Sequence, residues 1–156
     1  MDARIVRRIA GCLFAMAFAA SALAEDQRTT PDQAKLMVKN AIAHYRKVGP
    51  EKALADLADK KGAWVHGDAY VNAYDLEGKC LAHINEKTIG KNMIDLRDVD
   101  GKYLIRERLD RAKAEGSGWQ EYKFFNPATK KVEPKSMYFE RYEGVVFAAG
   151  AYKPEN

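Results

Sequence analysis

WVHGDAYVNAYDLEGKCLAHINEKTIGKNMIDLRDVDG, running from Trp64 to Gly101, is the stretch whose reading decides the fold. Tyr70, Asn72 and Tyr74 alternate with Ala69, Val71 and Ala73, the period of two expected of a strand with two unlike faces. Asp75-Leu76-Glu77-Gly78 supplies turn chemistry, with Gly78 free to adopt positive φ. Lys79 to Ile84 alternates again, which predicts Leu81 and His83 on one face and Cys80, Ala82 and Ile84 on the other. The hairpin therefore offers one face of small apolar groups and one of amphipathic groups, suited to lining a small polar pocket. A loop is expected over Glu86–Asn92, a helical turn over Met93–Asp98, and a turn at Val99-Asp100-Gly101.

Upstream, Thr30-Pro31-Asp32-Gln33 announces a helix. Thr30 is a capping residue, Pro31 suits the first helical position, and Gln33 completes a capping box. Met37, Val38, Ala41, Tyr45 and Val48 recur at helical spacing, and Gly49-Pro50 ends the run. A second short helix is expected over Glu51–Asp59. Downstream, Lys102–Glu115 reads as a helix with Leu104, Ile105, Leu109 and Ala112 inward. The tail reads as strands over Trp119–Asn126, Lys135–Glu143 and Val145–Tyr152. The last carries no charge, as a central strand buried on both faces would. With no helical crossover among the last three strands, neighbours can all be antiparallel. The fold class is α+β, a long N-terminal helix packed on a five- to six-stranded antiparallel sheet.

The 156 residues fit one domain. Met1 to Ala24 reads as a signal peptide: Arg4, Arg7 and Arg8 first, an apolar run from Ile9 to Ala20, then Ser21-Ala22-Leu23-Ala24 before Glu25. That run is shorter than the ~20 residues needed to span a bilayer. The domain is accordingly expected over 25–156, in the periplasm or secreted after cleavage near Ala24. The formal charge of +4 falls to +2 once Arg4, Arg7, Arg8 and Asp2 are removed, which gives no argument for a nucleic-acid partner. Cys80 is then the sole cysteine. It excludes an internal disulfide and is expected to be buried beside Ala82 and Ile84.

Few constellations carry chemistry. Asp98, Asp100, Gly101 and Glu107 fall at calcium-loop spacing, but Leu96 occupies the first position, so the segment is read as a turn capping the next helix. His44, His66 and His83 match no metal signature, and no nucleophile elbow or phosphate loop is present. Neither a cofactor nor catalysis is expected. Trp119, Tyr122, Phe124, Tyr138 and Tyr142 surround Lys135 at the head of a strand. A cation, tyrosine hydroxyls and apolar rings together could hold a small carboxylate. The same residues also suit an ordinary strand with a solvated lysine at its edge.

Trp64-Val65, Gly67-Asp68, Tyr70-Val71, Leu81-Ala82-His83, Ile89-Gly90-Lys91-Asn92 and the Asp95…Gly101 run resemble, in that order, the first half of a single Cache domain of the Cache_2 type. Gly116, Gly118, Trp119, Tyr122, Asn126-Pro127, Lys135, Tyr138, Gly150 and Tyr152 resemble the second half. The resemblance implies a PAS-like fold and the sensing of small extracytoplasmic ligands, often short carboxylic acids. It implies Lys135, Tyr122 and Tyr138 around the ligand, His83 as a weaker match, and Trp64 and Tyr70 as walls. Members are usually the sensor parts of chemoreceptors or histidine kinases. With no apolar segment after Tyr152, this chain reads as a free-standing module signalling through a membrane-bound receptor or kinase. The alternative is a ligand-free module docking on a membrane receptor or redox partner.

Overall fold

A computed structural model describes residues 28–153. The signal-peptide reading of 1–24 lies outside the described residues. The capping box forms as expected: the Gln33 amide N–H donates to the Thr30 hydroxyl (3.2 Å) and the Thr30 N–H to the Gln33 side chain (2.8 Å). It opens α1 (Pro31–Val48), whose stripe of Ala34, Met37, Val38, Ala41 and Ile42 is buried. Gly49, at φ +86°, reverses the chain into α2 (Pro50–Ala58). Thr30→Ala is expected to cost about 1 kcal/mol, read as a lower urea midpoint at unchanged slope.

Two short strands, β1 (Val65–His66) and β2 (Ala69–Tyr70), pair with each other. Then come β3 (Asn72–Asp75), β4 (Cys80–Ala82), α3 (Leu104–Glu115), β5 (Ser117–Asn126), β6 (Lys131–Tyr142) and β7 (Val145–Tyr152). The five longer-range strands form one sheet in the order β4-β3-β7-β6-β5, every pair antiparallel. The uncharged β7 is the middle strand, and all eight of its residues are buried. Its alternation divides the core. Val145, Phe147 and Ala149 pack under α1 and α2, whereas Val146 and Ala148 face α3. The long helix thus covers one face, and α3 with the segment leading into it covers the other.

Three local expectations are corrected. Between Ala73 and Tyr74 the β3–β4 register shifts, pairing Ala73 with Ala82 but Tyr74 with Cys80. This bulge breaks the alternation. Ala82 goes to the α1 face and Cys80 to the α3 face, so they do not share one; Cys80 is buried all the same. Residues 93–98 form no helix, and the helical turn lies earlier, as a 3-10 turn at Glu86–Thr88. Asp98 caps no helix. Its carboxylate accepts from the Asp100 and Lys102 amides (2.9 Å each) and from the Lys123 amide (3.3 Å), so it holds the turn and ties it to β5. Among the described residues no group of side chains is arranged to hold a metal ion, and no helix is long and apolar enough to cross a membrane.

Candidate functional site

The α3 face of the sheet is incompletely filled. On β7 this face carries Val146 and Ala148, and Gly150 continues their alternation, so the middle of the sheet presents little bulk. A cavity of about 230 Å³ lies over it. Tyr70, Asn72 and Tyr74 reach it from one side, because strand alternation puts all three on the same face. Leu104, Ile105 and Arg108 reach it from α3, Tyr122 and Phe124 from β5, and His83 from just after β4. Met93 and Leu96 close it from the segment before α3. Leu76, Met93, Ile94 and Leu96 pack on the same core, which holds that segment down.

Arg108 is the polar centre. It lies on the inner stripe of α3, four residues after Leu104 and three after Ile105, and is only 2% exposed. Its Nε donates to Gln120 Oε1 (3.2 Å) and its Nη2 to the Tyr122 hydroxyl (3.3 Å). Gln120 is anchored in turn by donating to the Leu104 carbonyl (3.0 Å). Among the described residues no carboxylate lies within ion-pairing distance of the guanidinium. A buried charge without a counter-charge is costly.

Lys135 lies one layer further in, 1% exposed. Its ammonium sits 4.9 Å from the Tyr70 ring centroid and 4.3 Å from that of Tyr152, and donates to the Tyr152 hydroxyl (3.3 Å). The Tyr152 hydroxyl in turn donates a hydrogen bond to the Phe125 carbonyl (2.7 Å). The lysine has room because position 150 is glycine; a Cβ there would stand 2.7 Å from Lys135 Cε and 2.9 Å from the Ser136 carbonyl. Burial, reinforced by the positive charge of Arg108 and opposed by Asp68, lowers the Lys135 pKa to about 7. Burial, with Lys135 and Arg108 adding to it, lowers His83 to about 4. His83 Nδ1 accepts the Asn85 amide N–H (2.9 Å), so the neutral ring carries its proton on Nε2. Its ring lies 5.0 Å from that of Tyr70.

Four of the six residues expected at a ligand site therefore converge: Tyr70, His83, Tyr122 and, behind the wall, Lys135. Tyr138 and Trp64 do not. Lys135 and Tyr138 are three apart on β6, an odd number, so strand alternation sends them to opposite faces. Tyr138 lies in the α1 core, beside Trp119, and donates to Glu140 Oε2 (2.8 Å). Trp64 packs against His44 under the same helices. Arg108 and Asn72 were missed. Arg108 had a signal in the sequence, a charge set among the apolar positions of an amphipathic stripe. A wider groove of about 580 Å³ runs along the start of α1, between Arg28, Gln33, Leu36, Met37 and His66. It is the larger of the two, but the buried Arg108 lines the smaller cavity, with Lys135 behind its wall, and chemistry favours that one.

The family described as single Cache domain 2 matches residues 11–152. The chain belongs to this family. The solved structure of a periplasmic sensor domain of a chemotaxis protein superposes on this Cache domain with a TM-score of 0.62. It is 25% identical and covers 92% of this chain and 99% of its own. A methyl-accepting chemotaxis protein from Vibrio parahaemolyticus (TM-score 0.62, 22% identity, 87% and 92% coverage) shares the fold. So does a Cache chemosensory domain studied for carboxylic acid recognition (TM-score 0.63, 19% identity, 88% and 98% coverage). The sensor histidine kinase MctS of Rhizobium johnstonii is 36% identical over 72 residues, 46% of this chain. That match spans only 15% of the kinase. By family and fold, the Cache domain is an extracytoplasmic sensory module.

Proposed function

We propose that this Cache domain is a periplasmic module that binds a small organic acid in the cavity under α3 and reports it to a signalling partner. The observation that carries the reading is Arg108, a buried guanidinium that lines the cavity with no ion-paired carboxylate among the described residues, while Lys135 adds a second buried cation behind the Tyr70 wall. A carboxylate is the complementary ligand. Arg108 offers planar donors for it, the Tyr122 hydroxyl receives from Arg108 and so has its own proton to give, and His83 Nε2 is a neutral donor. Phe124, Met93, Leu96, Leu104 and Ile105 exclude water from the acid's carbon chain. A volume of about 230 Å³ admits an acid of a few carbons and no large metabolite. The carboxylic acid recognition studied in a Cache neighbour of the same fold supports the ligand class. The kinase relative and the chemotaxis neighbours support a receptor or histidine kinase as partner, and residues 1–24 read as the export signal.

A thermal-shift series of short acids tests the reading. An acid present at ~100-fold over its dissociation constant should add about 2.7 kcal/mol of stability, a shift of several degrees. A panel of C2 to C5 acids that leaves the melting temperature unchanged rules the cavity out as an acid site.

A further inference from the structure

Among the buried side-chain atoms of the described residues, two oxygens have no hydrogen-bond partner: Asp68 Oδ2 and Asn72 Oδ1. Only Asn72 lines the cavity. It stands on β3 opposite Ala148, flanked on its own face by Tyr70 and Tyr74, and is 3% exposed. Its side-chain oxygen accepts no hydrogen bond from any described residue. Asparagine is a poor strand former and a poor core residue, so at this position the amide has a cost with no structural return. Most other polar groups of the cavity are donors or can act as donors: the Arg108 guanidinium, the Tyr122 hydroxyl and neutral His83. Asn72 Oδ1 is the acceptor left without a partner.

We infer that Asn72 is a specificity-determining residue and that the ligand carries a hydroxyl, which donates to Asn72 Oδ1 while the carboxylate meets Arg108. The inference rests on the acid-binding reading above and narrows it to hydroxy-substituted short monocarboxylates. Unsubstituted acids of the same length fill the cavity but leave Oδ1 buried and unpaired, and sites built to pair a ligand hydroxyl discriminate strongly against ligands that lack it.

Calorimetric titration of the domain with L-lactate, D-lactate, pyruvate and propionate tests this, with wild type and Asn72→Ala side by side. Wild type should bind one lactate enantiomer at least about tenfold more tightly than propionate, and Asn72→Ala should erase that preference. The wild-type comparison needs no variant, so it stands even if Asn72→Ala folds poorly. Equal binding of lactate and propionate by wild type overturns the inference but leaves the acid-binding reading intact. So does a lactate preference that survives in Asn72→Ala. Tighter binding of pyruvate than of either lactate also overturns it, since the amide would then present its NH₂ group to an oxo oxygen. If none of the four acids binds, the acid-binding reading falls and this inference with it.

Discussion

Replacing Arg108 with methionine is expected to weaken acid binding by about 30- to several-thousandfold, from a loss of about 2–5 kcal/mol for one partner of a buried charge pair. The ligand-free domain should melt no lower than wild type. Arg108 is buried with no ion-paired carboxylate among the described residues, and its charge is one of the causes that depress Lys135. Methionine keeps much of the volume, removes a desolvated charge and relieves its repulsion of the lysine. Lost hydrogen bonds to Gln120 and Tyr122 oppose this, each worth about 1.5–3 kcal/mol when the donor is charged. Two readouts separate the cases: ligand affinity by calorimetry and ligand-free melting by scanning calorimetry. A variant that loses several degrees of melting temperature and retains acid binding would make Arg108 a structural residue only.

The second large effect is a pH dependence of binding that Lys135 controls. Its folded pKa, about 7, lies below the ordinary lysine value of about 10.4. Above pH 5 a short carboxylic acid is ionised, and His83, held near 4, stays neutral. Lys135 is then the group at the site that titrates near neutrality. Anion binding favours its protonated form, so the dissociation constant should rise with pH above about 7, by up to tenfold per pH unit. Ligand-free stability should move the other way. The unfolded lysine keeps its proton up to about 10.4, whereas the folded one releases it near 7. The penalty of burying the charge is therefore fully present below pH 7 and relieved as pH rises through the interval, with a slope of up to about 1.4 kcal/mol per unit. Lys135→Met should flatten both trends relative to wild type, across pH 6 to 9. Affinity that stays constant over that range in wild type would place Lys135 outside the binding equilibrium.

Much of the architecture was legible because local chemistry and global fold agree. Thr30, Pro31 and Gln33 form the expected cap, and the uncharged run Val145–Tyr152 became the middle strand. The α+β class and the antiparallel sheet followed from those two features and the hairpin. The misreadings were local. A single shift of register between β3 and β4 separated Ala82 from Cys80, and an extra residue in a strand leaves no trace in composition. The site was half legible. Tyr70, Tyr122, His83 and Lys135 converge, but Tyr138 fell on the other face by the same period-two rule that had identified the strands.

By itself, the sequence determined the long helices and strands, that a charge-free strand must be central, and that Lys135 and Tyr122 lie on strands able to pair. These follow from propensity and periodicity, which act over a few residues. Tertiary structure alone decided what became of Arg108 and Asn72. One is an arginine in a helical stripe and the other an asparagine in a strand. The place of Arg108 in an apolar stripe hinted at burial, whereas Asn72 could equally have reached solvent. Their burial depends on α3 closing over a sheet whose centre carries Ala148 and Gly150, so that a cavity remains where side chains from α3, β3 and β5 meet. An unpaired charge and an unpaired amide are costly only once water is excluded, and exclusion is a property of the assembled fold, not of any one segment.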